Sequence, residues 1–86
     1  MSDLYSMTPS TIMMYSTTWC GDCKRAKKFL DKQKVPYTDV DIEKDEKGRD
    51  FVMKVNDGAR VVPTIIFPDG DVLVEPSTKE LRVKVS

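Results

Sequence analysis

The sequence contains no histidine and only two cysteines, Cys20 and Cys23, among its 86 residues. A structural zinc site takes four cysteine or histidine ligands, so one copy of the chain lacks the residues to build one. A zinc ion or an iron–sulfur cluster would need ligands shared between two chains, and that alternative stays open. The 14 basic and 14 acidic residues balance to a formal net charge of zero, which favours neither a nucleic acid nor a membrane surface as partner.

Long apolar stretches are also missing. No run approaches the length that is needed to cross a bilayer. Residues 1–10 contain Asp3 and lack the apolar core of a secretory signal peptide. We therefore expect a cytoplasmic protein without membrane contact. In that reducing compartment a close pair of cysteines is typically catalytic, redox-sensing or metal-binding, whereas a structural disulfide is typical of secreted chains.

The length fits one domain, which we place at residues 11–86 after a flexible N-terminal lead-in over residues 1–10. Apolar runs, helical spacing and turn residues predict seven elements. These are β1 (11–15), α1 (20–33), β2 (36–42), α2 (from 43–45 to 55), β3 (64–67), β4 (72–74) and α3, which a Ser77-x-x-Glu80 capping box opens. The strand–helix–strand unit gives a parallel pair and the hairpin adds two antiparallel strands. The sequence thus predicts an α/β fold of thioredoxin type, β1-α1-β2-α2-β3-β4-α3, with a four-stranded mixed sheet and helices on both faces.

The two cysteines stand where the first strand gives way to the first helix. Cys20 lies at the helix start, where unpaired N–H groups and the helix dipole stabilise the thiolate that attacks disulfides. The negative charge of Asp22 opposes this effect without cancelling it. Cys23 lies one turn deeper on the apolar stripe, where a buried thiol stays protonated until it is needed. We predict Cys20 as the nucleophile and Cys23 as the resolving cysteine, with a structural disulfide or a shared metal site as alternatives.

Val62-Pro63 is the second candidate site. A proline that opens a buried strand removes a hydrogen-bond donor from the sheet. If its peptide bond is cis, the N–H and C=O of Val62 are exposed beside the cysteines, where a bound thiol peptide can pair with them as an added strand. A trans proline at the start of a strand is the alternative.

These residues together resemble the glutaredoxin branch of the thioredoxin superfamily and, within it, the mycoredoxins. The resemblance spans Thr11 to Ser77. It rests on Tyr15-Ser16-Thr17-Thr18-Trp19-Cys20-Gly21, Val40-Asp41-Ile42-Glu43, Val55-Asn56, Gly58, Arg60, Val62-Pro63-Thr64, Asp69-Gly70 and Pro76-Ser77.

The resemblance implies a cis bond at Pro63 and a shallow groove for a small thiol. It places Trp19, the Val62 backbone and the Gly70-Asp71 turn in the wall of that groove. The chain departs from the family in two places. Asp22 stands where the family has an aromatic residue, so a groove wall is lost and a negative charge gained, and Val61 stands where the family has threonine. We therefore count Trp19, Asp22, Val62, Pro63, Gly70 and Asp71 as the candidate thiol-binding residues.

The resemblance also implies a function. It indicates an oxidoreductase that reduces mixed disulfides between proteins and a low-molecular-weight thiol, in cell redox homeostasis and electron transport. The implied co-substrate is mycothiol, bacillithiol or glutathione, with no bound cofactor. Thiolated proteins and a recycling reductase are the implied partners of a monomer. A thioredoxin-like dithiol reductase, suggested by Trp19-Cys20-Gly21, is one alternative, and a metal- or cluster-binding module is another.

Overall fold

The computed structural model describes residues 5–85, and what was predicted for residues 1–4 and for Ser86 lies outside this range. Its elements are β1 (Ile12–Ser16), α1 (Gly21–Lys32), β2 (Tyr37–Asp41), α2 (Glu46–Val55), β3 (Thr64–Ile66), β4 (Val72–Val74) and α3 (Thr78–Val85). The predicted order and element types are confirmed, with slightly shifted bounds at most ends. No helix within residues 5–85 has the length and apolarity to cross a membrane.

The four strands form one mixed sheet in the order β2-β1-β3-β4, so β2 and β4 are its edge strands. β1 runs parallel to β2, and β3 runs antiparallel to both β1 and β4. Tyr15 lies opposite Thr64, so β3 begins at the end of the sheet where β1 leads to the cysteines. We call this the cysteine end. The 67–71 turn between β3 and β4 lies at the opposite end, the hairpin end.

The central strand β1 is apolar on both faces because a helix layer covers each face. Ile12 and Met14 pack in a cluster with residues of α1 and α3. Met13 and Tyr15 pack in a second cluster with α2, through Val52. Successive side chains of a strand point to opposite faces, which explains this alternation. Helices on both faces of the sheet are therefore confirmed.

Two helix ends follow the predicted local chemistry. The capping box at the start of α3 is complete, with the Glu80 N–H donating to Ser77 Oγ at 3.1 Å and the Ser77 N–H donating to the Glu80 carboxylate at 2.9 Å. α2 ends at left-handed residues, Asp57 with a φ of 54° and Gly58 with a φ of 94°. The predicted capping box thus begins α3, and left-handed backbone at Asp57 and Gly58 ends α2.

The described part of the lead-in contacts the face of the sheet that α2 covers. The Tyr5 N–H donates to the Tyr15 hydroxyl at 3.1 Å. The Tyr5 hydroxyl donates to the Asp45 carboxylate at 2.8 Å, and its ring lies 6.3 Å from that of Phe51, edge to face. The flexibility of residues 1–10 stays a prediction.

Candidate active site

Cys20 is the N-cap residue of α1. Its backbone is extended, with a φ of −79° and a ψ of 115°, and its Sγ accepts a hydrogen bond from the Cys23 N–H at 3.0 Å. Side-chain oxygens usually fill this capping position, and here a sulfur does so. An N–H group at the positive end of a helix stabilises negative charge on the atom it contacts. The Cys20 sulfur therefore lies against the start of α1, and 7% of the residue is exposed.

Cys23 has a different environment although it is only three residues away. It is fully buried. Burial raises the pKa of Cys23 to about 12, and its hydrogen bond with Cys20 acts in the same direction, while a backbone hydrogen bond of Thr17 and the charge of Lys27 lower it. Burial has the largest effect, so Cys23 is protonated at neutral pH. Both thiols are free in the structure.

The Val62-Pro63 peptide bond is cis, as the resemblance implies. The Val62 carbonyl oxygen lies 3.8 Å from Cys20 Sγ and accepts the thiol hydrogen bond. Behind it, the buried Thr64 hydroxyl donates to the Val61 carbonyl at 2.7 Å and accepts from the Asn56 side-chain amide at 3.2 Å. Thr64 thereby ties the loop that carries Val62 to the end of α2.

A cavity of about 470 Å³ opens beside Cys20. Trp19, which is 64% exposed, forms part of its rim. Asp22 also lines it, and its carboxylate pairs with Arg25 at 2.9 Å, which offsets the negative charge between the cysteines. The cavity is lined by Trp19, Cys20, Gly21, Asp22, Arg60, Val61, Val62 and Glu75.

The placement of Gly70 and Asp71 in the groove wall has to be corrected. Both lie in the turn at the hairpin end, where the Asp71 carboxylate accepts from Lys84 Nζ at 2.6 Å. The hairpin runs along the sheet, so its turn and its open ends lie at opposite ends. Glu75, which follows β4, lines the cavity instead, and its N–H donates to the Pro63 carbonyl at 2.9 Å.

The sequence contained a signal for Glu75 that the sequence analysis did not use. In the antiparallel hairpin Val74 pairs with Thr64, so the next residue along β4 must lie beside Pro63. Arg60 was part of the family motif but had no assigned role. Within residues 5–85, no three Cys, Asp or Glu side chains come together in a group that would hold a metal ion.

Comparisons with known proteins agree with this geometry. The family model described as Glutaredoxin matches residues 12–73. A protein of Mycobacterium tuberculosis that carries a glutaredoxin name is 40% identical over 79 residues, 92% of this chain and 94% of the relative. Mycoredoxin 1 of Corynebacterium glutamicum is 37% identical over 76 residues, 88% of this chain and 94% of the relative. The crystal structure of a thioredoxin-like protein mutant has a TM-score of 0.77 at 27% identity, covering 87% of this chain and 99% of its own.

A thioredoxin-type fold with two free thiols at the start of its first helix defines a thiol–disulfide oxidoreductase. Within that class the chain belongs to the glutaredoxin family, since the family model covers most of its length and its relatives match nearly end to end. The family and the fold inferred from sequence are both confirmed.

Proposed function

We propose that the protein reduces mixed disulfides between proteins and a low-molecular-weight thiol, with Cys20 as nucleophile and Cys23 as resolving cysteine. The contrast between the two sulfurs supports this most directly. Cys20 Sγ contacts the start of α1 beside a cavity, whereas Cys23 is fully buried with a pKa of about 12. One sulfur is thus prepared to react first, and the other is held back as a thiol.

The reaction follows from this arrangement. The Cys20 thiolate attacks the small-thiol sulfur of the mixed disulfide. A bond forms between these two sulfurs, the bond to the protein substrate breaks, and the protein leaves as a thiolate that takes up a proton. A second small thiol then attacks the sulfur of the first, so that the oxidised small thiol forms and Cys20 leaves as a thiolate. Alternatively, Cys23 attacks Cys20 Sγ, so that the Cys20–Cys23 disulfide forms and the small thiol leaves as a thiolate. A recycling reductase returns the oxidised small thiol, or the Cys20–Cys23 disulfide, to the reduced state.

The cavity beside Cys20 is the proposed site of the small thiol. Trp19 supplies an exposed ring at the rim, and the Val62 backbone supplies polar groups beside the sulfur. Asp22 and Glu75 bring two carboxylates and Arg60 one guanidinium. The candidates are mycothiol, bacillithiol and glutathione, and the similarity to Mycoredoxin 1 and to glutaredoxins supports a thiol of this kind.

The test uses one protein substrate thiolated in turn with mycothiol, bacillithiol and glutathione. We expect Cys23→Ser to retain release of the small thiol from the substrate, because Cys20 and a second small thiol suffice. We expect Cys20→Ser to lose at least about a thousandfold in rate, because a hydroxyl is not ionised at neutral pH and does not replace the thiolate. Equal losses in both variants would contradict the proposal and favour a dithiol reductase of protein disulfides.

A further inference from the structure

Lys27 lies four residues after Cys23 in α1, so the two side chains share one face on successive turns. We propose that Lys27, fixed in place by Asp39, is a positioning residue that stabilises the Cys23 thiolate as it attacks the mixed disulfide on Cys20. This inference rests on the resolving role proposed above for Cys23. It assigns a task in the reaction to a lysine for which no role was predicted from the sequence.

A hydrogen-bonded chain across three elements holds Lys27. Its Nζ lies 2.9 Å from Asp39 Oδ2 on the edge strand β2. The other carboxylate oxygen, Oδ1, accepts a hydrogen bond from Ser16 Oγ at 2.5 Å. Ser16 is buried at the end of β1, next to Thr17, whose backbone hydrogen bond reaches Cys23. The ammonium group is therefore held at the side of α1 that faces the sheet.

The Lys27 side chain is less exposed than those of Lys24 and Lys28, which lie in the same helix. Its side chain is only 26% exposed, whereas Lys24 and Lys28 are exposed residues. A charge that is partly buried acts through a lower effective dielectric and is screened less by salt. A lysine on the open side of the same helix has neither advantage.

Few charged groups act on Cys23, so the effect of Lys27 on its ionisation can be separated from the effects of other charges. They are Cys20, at the N-cap of α1, and Lys27, within the helix. Asp39 of β2 pairs with Lys27. Ser16 and Thr17 of the neighbouring β1 segment carry no charge. The negative charge of a Cys20 thiolate disfavours ionisation of Cys23, while Lys27 favours it. When Cys20 is in a mixed disulfide it is uncharged, so Lys27 then acts without that opposition.

The step that Lys27 assists is balanced within the site. Cys23 gives its proton to solvent, and its thiolate attacks Cys20 Sγ. The Cys20–Cys23 bond forms, the bond between Cys20 and the small thiol breaks, and the small thiol leaves as a thiolate. In formal oxidation states the Cys23 sulfur loses one electron and the sulfur of the small thiol gains it, while the Cys20 sulfur is unchanged. The positive charge of Lys27 stabilises Cys23 while that sulfur is negative.

Ellman's reagent tests this step without any knowledge of the natural thiol. Mixed in equal amount with the reduced protein, it forms a mixed disulfide with Cys20 and releases one coloured thiolate. The attack of Cys23 then releases a second. We expect Lys27→Met to slow the second release about tenfold at neutral pH, because the variant loses the positive charge that favours the Cys23 thiolate and that Asp39 offsets only in part. The first release should be unchanged.

Two further readouts separate this effect from a structural one. The pH profile of the second release should move to higher pH in Lys27→Met and return in Lys27→Arg, which keeps the charge. Lys28→Met is the matched control, because it removes the same charge from an exposed neighbouring position of α1, and it should behave as wild type. Lys27→Gln repeats the test with a polar side chain if methionine disturbs the packing.

The results of this experiment test the role of Lys27 and the resolving role of Cys23 separately. A wild-type protein without a second release, or a Cys23→Ser variant that retains it, would overturn the resolving role of Cys23 and the inference with it. A normal wild-type second release that persists at full rate in Lys27→Met and Lys27→Gln would overturn the role of Lys27 alone.

Discussion

The two ends of the sheet are held together in different ways. At the cysteine end, polar side chains bond to the backbone: Cys20 Sγ to the Cys23 N–H, and the Thr64 hydroxyl to the Val61 carbonyl. At the hairpin end, charged side chains bond to each other. Lys84 pairs there with Asp69 and Asp71.

The difference shows what each end requires. Side-chain-to-backbone bonds among buried groups fix loops in place, because an unpaired buried partner is costly. At the cysteine end Cys20 contacts both the helix start and the Val62 carbonyl, and the reaction proposed above needs both contacts. Exposed ion pairs contribute little to stability and are screened by salt, so the hairpin end is held less firmly.

The largest effect on stability is expected at Thr64. Thr64→Val keeps the shape but leaves the Val61 carbonyl without its donor, so we expect the free energy of unfolding to fall by about 1–3 kcal/mol. The exchange rate should fall as well, because the loop that carries Val62 loses its anchor. Urea unfolding and the Ellman assay measure the two effects.

Thr38→Val is the matched control for Thr64→Val. Thr38 lies exposed on the edge strand β2, so the same substitution there should change stability by no more than about 0.5 kcal/mol. If the two variants lost the same free energy of unfolding, the buried hydrogen bonds of Thr64 would not be what fixes the loop that carries Val62.

An intermediate effect on the free energy of unfolding is expected when the pH rises through the range in which Cys23 titrates. Burial raises the pKa of Cys23 in the folded protein to about 12, above its ordinary value of 9.0. The unfolded chain therefore loses this proton at a lower pH than the folded chain does. The stabilisation is fully present below about pH 9 and is lost progressively as the pH rises toward about 12.

Urea unfolding of the reduced protein between about pH 8 and pH 11 measures this loss, since the denaturation midpoint follows stability when the slope is constant. Cys23→Ser should show a weaker decline, because tyrosines and lysines titrate equally in both proteins. Parallel declines would mean that the environment of Cys23 contributes nothing to the alkaline behaviour.

The smallest effect is expected at the hairpin end. Lys84→Met removes both ion pairs and the contact of the ammonium group with the Phe67 ring, whose centroid lies 5.2 Å away. We expect Tm to fall by no more than a few degrees at low salt, with the difference shrinking at high salt. The exchange rate should not change.

Lys79→Met provides the comparison for Lys84→Met, because Lys79 is an exposed residue of the same helix. It should leave both stability and exchange unaltered. A Lys84→Met variant with slowed exchange would show that the two ends of the sheet are coupled.

Local sequence features predicted most of the fold correctly. The continuous apolar run of β1 and the Ser77–Glu80 capping box act between neighbours in the chain, so their pattern is visible in the sequence. The position of Gly70 and Asp71 was misjudged because family likeness was used in place of hairpin geometry. Antiparallel pairing alone would have moved the turn away from the cysteines.

The sequence by itself determined that two cysteines stand between a strand and a helix, and that Cys23 lies on the buried stripe of that helix. The sequence also predicted that Val62 lies beside them if its bond to Pro63 is cis, and only the tertiary structure decided this condition and the other distant contacts. The contact of Cys20 with Val62 spans 42 positions, and that of Ser16 with Asp39 spans 23. Such contacts depend on strand order and register, which arise from packing the whole sheet between its helices and leave no periodic trace in the chain.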